Sequence, residues 1–163
     1  MGMMRHRMNL LLPLLFCAAG AALAKGPQLA AITDEQSAKI DAALQVKTAD
    51  KALEQAVAEA APTIAPFLKA NSCLAGYDAS VLNVYAAPGK TYPNNNYIGG
   101  PLPTMRKHSK GACATVLRIH GWEMKAKNAL RFEVVYMSDS SGESGKSHHE
   151  VQRQASGEWL FSR

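Results

Sequence analysis

Two cysteines, four histidines and one loop rich in tyrosine and basic residues carry most of the chemistry this sequence offers. Cys17 sits in an N-terminal leader, which leaves Cys73 and Cys113 in the body of the chain. In an oxidising compartment the simplest fate of two thiols is one disulfide. Closing a loop of about 40 residues stabilises a fold by roughly 4 kcal/mol on the chain-entropy account. The competing reading is a reactive or metal-binding pair, but the two cysteines have no CxxC spacing and no histidine-ligand pattern near them.

Beyond the leader the histidines are His108, His120, His148 and His149. They show no HExxH spacing, and on a strand the adjacent His148 and His149 point to opposite faces, so the pair is not a chelate. His149, Val151 and Arg153 share one face of that strand, read here as the inner one. In a curved sheet His149 and Arg153 would line a pocket with Tyr136 or Trp159, where His149 or His120 could act as a base. The plainer alternative is an edge strand whose charges deter aggregation.

Residues 86–111 read as one long loop, with four prolines, four glycines and the run Asn94-Asn95-Asn96. Within it Tyr92 and Tyr97 precede the basic end Arg106-Lys107-His108-Ser109-Lys110. Aromatic faces beside cations suit an anionic glycan, a lipid headgroup or a protein partner. The alternative is a structural loop tied down beside Cys113. Gly145-Lys146-Ser147 imitates the end of a phosphate loop, but the required first glycine is Ser140 and the flanking elements read as strands. No nucleophile elbow or paired acid and base stands out, so the sequence predicts no cofactor, no metal and no particular reaction.

The elements that must position these residues are legible by period. Thr33-Asp34-Glu35-Gln36 forms a capping box, and the following stretch to Ala61 is rich in helix formers without glycine or proline. This predicts one long helix, cut at Pro62 and Pro66, then a short second helix ending near Asn71. Residues 33–71 are therefore helical. Val81 to Tyr85 fits either a strand or a last helical turn.

From residue 112 to 162 the period becomes two. Cys113, Thr115, Leu117 and Ile119 alternate with Ala114, Val116, Arg118 and His120, and Leu130, Phe132, Val134 and Tyr136 repeat the design. Residues 147–154 form a more polar third strand, and Trp159-Leu160-Phe161 a short closing one. The expectation is an α+β domain: a long N-terminal helix and a short second helix packed on an antiparallel meander of about four strands.

The first 24 residues read as a cleavable secretory signal: Arg5 and Arg7, an apolar run from Asn9 to Ala22, and Ala22-Leu23-Ala24 before the expected cut. The run is too short for a spanning helix. An uncleaved anchor is one alternative. A lipid on Cys17 is another, disfavoured by the bulky Phe16 before it. Cleavage of the 163-residue chain would leave 139 residues, 25–163, enough for a single domain. With Arg5 and Arg7 gone the formal charge falls from +5 to +3, too weakly basic to imply nucleic acid. No membrane span is expected after cleavage, and the location is periplasmic or secreted.

The order of helices and meander, closing on Gly157-Glu158-Trp159-Leu160-Phe161, resembles the cone-shaped cystatin-like and nuclear-transport-factor-two-like folds. It is also similar to small exported proteobacterial proteins of unknown function. The resemblance implies a sheet wrapped against a helix, and its members include both enzymes and binding modules. Two functions follow as expectations. The first is an exported, non-enzymatic binding or assembly module for a protein or envelope ligand. The second is a small periplasmic enzyme or small-ligand-binding protein with a cone-shaped pocket.

Overall fold

In the computed structural model, which describes residues 31–74, 79–90, 105 and 112–163, a layer of helices lies across one face of an antiparallel sheet. The first helix, α1 (Asp34–Ala43), starts where the sequence signals it, with the Thr33 side chain accepting from the Gln36 N–H at 3.2 Å. The reciprocal half of the capping box is diverted. Gln36 Nε2 donates instead to Thr115 Oγ1 at 2.7 Å, tying the helix to the sheet.

The single long helix expected from 33 to 61 is two. The chain leaves α1 at Leu44 and re-enters at α2 (Lys51–Asn71), capped by Asp50, whose Oδ1 accepts from the N–H groups of Ala52 and Leu53 at 3.0 and 3.1 Å. A carboxylate cap is worth about 1 kcal/mol, and β-branched Val46 and Thr48 add little helix propensity to resist the break. Glu54 fastens the turn by accepting from Lys47, Lys51 and the Thr48 N–H. Those bonds, Lys51's foremost, hold its carboxyl down at about 2.

Nor do Pro62 and Pro66 cut the helix, since both lie inside the 21 residues of α2. Four residues apart, they share one helical face, away from the buried one. The carbonyls they orphan therefore face the solvent side, where water can satisfy them. Burial of Val57, Ala60, Ile64, Phe67 and Leu68 on the other face outweighs the local cost. Ala79–Tyr85 then forms a short 3-10 helix, after which the Ala87 N–H donates to the Phe161 carbonyl at 2.8 Å.

The meander is as the period-two pattern predicts. Strands β1 (Thr115–Ala126), β2 (Ala129–Met137), β3 (Ser144–Arg153) and β4 (Trp159–Phe161) lie in that order, each antiparallel to the next. Along β2 the burial alternates strictly, with Leu130, Phe132, Val134 and Tyr136 inward.

In β1 the alternation breaks. Register shifts between Val116 and Arg118, and again between His120 and Glu123 at Gly121 (φ +64°), reset which side chains face the core. Leu117, expected inward, is 52% exposed, whereas Ile119 is buried and Trp122 stacks on Phe132. The Cys73–Cys113 disulfide joins the end of α2 to the start of β1. Beside it the Ala114 N–H donates to the Ser72 carbonyl at 2.8 Å. Among the described residues no helix is long and apolar enough to cross a membrane.

Candidate functional site

At the end of the sandwich where α2 begins, helix and sheet part around a cleft of about 530 Å³. Asp50, Gln55 and Glu59 come from the start of α2. Opposite them stand Lys127 of the β1–β2 hairpin, Arg153 at the end of β3 and Trp159 at the start of β4, over a floor that includes Ala52, Ala56 and Met124.

Glu59 organises this end. One carboxylate oxygen accepts from Gln55 Nε2 at 2.9 Å; the other accepts from the Trp159 indole N–H at 3.4 Å and lies 3.6 Å from Arg153 Nη2. The Gln55 hydrogen bond most of all, then that of the indole, hold the carboxyl below the usual carboxylate range against an opposing effect of burial, with the guanidinium charge contributing least. Arg153 is steadied by a bond from Nε to the Gly157 carbonyl at 3.4 Å. Its side chain is 48% exposed, so it stands at the rim and not within the sheet's inner face. Asp50 is the N-cap and spends one oxygen on its helix.

The other inward residues of β3 do not open onto a pocket. Val151 is fully buried, and His149 is 2% exposed, with its ring among Phe67, Phe132 and Phe161 at centroid distances of 5.4, 5.3 and 5.7 Å. Burial, and then the charge of His148, press its pKa down to about 3. As a candidate binding residue or base, His149 is therefore corrected to a core residue. Phe67, Phe132 and Phe161 fill the space around it.

His120 and His148 lie on the outer face, on either side of Glu133 in the cross-strand register. Glu133 binds Lys146 at 3.0 Å, His148 Nδ1 at 3.1 Å and lies 3.7 Å from His120 Nε2. Lys146, chiefly by its hydrogen bond, keeps the Glu133 carboxyl low. The Gly-Lys-Ser sequence thus lies within β3, its lysine engaged in a lateral ion pair. Among the described residues no cluster of three or more potential ligands is arranged to hold a metal ion.

A second groove, of about 650 Å³, runs between α1 and α2 over Leu44, Val46, Ala58, Ala61 and Ala65. The charges on its rim are already paired, Lys47 and Lys51 with Glu54 and Asp41 with Lys69. Tyr92, Tyr97, Arg106, Lys107 and His108, the aromatic and basic candidates, lie outside the described residues, as does the leader.

Of the residues singled out from sequence, Arg153 and Trp159 belong to the cleft. Glu59, 100 positions before the indole it binds, gave no local signal. The chain matches no family model, no curated protein and no solved structure. The resemblance to the cone-shaped folds rests on the order of elements alone.

Proposed function

We propose that this protein is an exported, non-enzymatic binding module of the cell envelope, and that it meets its ligand at the open end of the sandwich over Glu59, Arg153 and Trp159. The observation that carries the site is convergence: α2, three strands and the β1–β2 turn bring opposite charges to one cleft whose apolar base includes the buried Trp159 indole. A few placed polar groups over an apolar lining are the usual makings of a small-ligand site. Export is supported by the basic and apolar leader and by the Cys73–Cys113 bond, which belongs to an oxidising space. The enzymatic alternative loses its base. His149 is enclosed and held neutral, and His120 faces outward beside Glu133.

The test is a thermal-shift titration of the disulfide-bonded protein with the low-molecular-mass filtrate of a periplasmic extract, beside the double variant Lys127→Gln/Arg153→Gln. A rise in melting temperature for the parent that the variant lacks supports the reading. Equal shifts, or none in either protein, overturn it.

A further inference from the structure

We infer that the cleft is built for a zwitterion, a short peptide with both termini free; this deepens the binding reading above and rests on it. The two walls differ in sign. Asp50 and Glu59 stand on the helical wall, Lys127 and Arg153 on the sheet wall, and the charges balance. A ligand of no net charge keeps that balance, and of such ligands only one carrying a charge of each sign can meet both walls with opposite charge.

The central Glu59–Arg153 pair, 3.6 Å apart, already satisfies itself in part. Capacity remains on either side of it. Asp50 Oδ1 accepts from the Ala52 and Leu53 N–H groups, which leaves Oδ2 for an incoming ammonium. Lys127 makes no hydrogen bond or ion pair among the described residues, and its three N–H donors are available to a carboxylate. Arg153 keeps further guanidinium donors beyond the bond to Gly157 and the approach to Glu59.

Between these ends the floor of Ala52, Ala56, Met124 and Ala126 suits backbone Cα atoms and small aliphatic side chains. A space of about 530 Å³ is also more than a single small amino acid would fill.

The experiment is calorimetric titration of the full disulfide-bonded protein with trialanine, N-acetyl-trialanine, trialanine amide and the doubly blocked peptide. Each blocked terminus is expected to weaken binding by about tenfold, the scale of one charge-assisted contact at a part-exposed site. Two variants assign the ends. Lys127→Gln should weaken trialanine by about tenfold and leave the amide unchanged. Asp50→Asn, which keeps a helix cap, should weaken trialanine and leave the N-acetyl peptide unchanged.

Equal binding of all four peptides would show that the floor alone is at work and overturn the inference, as would selective binding of a singly charged peptide. If the periplasmic filtrate shifts the parent protein and no peptide binds, the ligand class fails while the binding reading stands. If neither acts, both fail.

Discussion

Acid should loosen this fold through its buried imidazole, His149, beyond what its paired carboxylates lose. Packed among Phe67, Phe132 and Phe161, its imidazole has a pKa held at about 3 against an ordinary 6.5. Between those values the unfolded chain takes up a proton that the folded chain refuses, so stability is complete above pH 6.5 and is lost as the pH falls. From this shift alone the loss is about 2 kcal/mol at pH 5 and about 3 kcal/mol at pH 4, with a limit near 5 kcal/mol below pH 3. Against a typical total of 5–15 kcal/mol this is a large fraction.

The assay is urea unfolding at a series of pH values for the parent and for His149→Leu, compared as the difference between the two. Groups common to both proteins largely cancel in that difference, including the carboxyls of Glu35, Glu54, Glu59 and Glu133, which their partners hold low. The parent should lose stability relative to the variant by about 1.4 kcal/mol per pH unit below pH 6. Parallel profiles would refute the buried, neutral imidazole.

Four further outcomes are expected. Replacing Cys73 and Cys113 together by serine should lower stability by about 4 kcal/mol in denaturant unfolding, since the bond closes a separation of 40 residues. Asn71→Ala strands the buried Tyr136 hydroxyl, to which Asn71 Nδ2 donates at 2.9 Å, and should cost about 1–3 kcal/mol. Adding Tyr136→Phe to that variant should recover part of the loss in the same assay. Gly121→Ala places a Cβ at φ +64°, 3.3 Å from Glu133 Cγ, and should cost about 1–2 kcal/mol in thermal unfolding. Ala52→Leu, at an exposed position on the cleft floor, should change stability by less than about 0.5 kcal/mol and abolish peptide binding by calorimetry.

What the sequence made legible was local or forced. Thr33 caps because a hydroxyl before a helical run has few other uses, and β2 reads cleanly because one residue in two faces the core without interruption. Cys73 and Cys113 pair because each is the other's available partner. The misreadings share a different cause. Asp50 restarts the helix through bonds to its own backbone, a device that helix propensity does not register. Pro62 and Pro66 survive inside α2 because the orientation of the helix, fixed by tertiary packing, turns their orphaned carbonyls outward. Leu117 is exposed because it is the extra residue of a bulge between Val116 and Arg118, so that Val116 and Ile119, three apart instead of two, both face the core. Of the cleft, Arg153 and Trp159 were legible from strand alternation, but its helical wall was not, because Asp50 and Glu59 meet them only when the sheet closes on the helix.

The same helix explains why the sandwich is closed at one end and open at the other. Toward its C-terminus α2 presents Ile64, Phe67 and Leu68 to the sheet, and Phe67 stacks on Phe161 at a centroid distance of 3.8 Å. Toward its N-terminus α2 still packs Leu53 and Val57 on the core, but on the cleft side it carries Ala52 and Ala56, whose methyl groups do not reach across to the sheet. The sheet does not make up the difference. Met124 and Trp159 reach part of the way, and the indole spends its N–H on Glu59. A protein selected for stability alone would fill that space, because each buried methylene group adds about 0.8 kcal/mol. Leaving alanine there and ringing the gap with charges of both signs gives up that stabilisation, a compromise consistent with the ligand site proposed above.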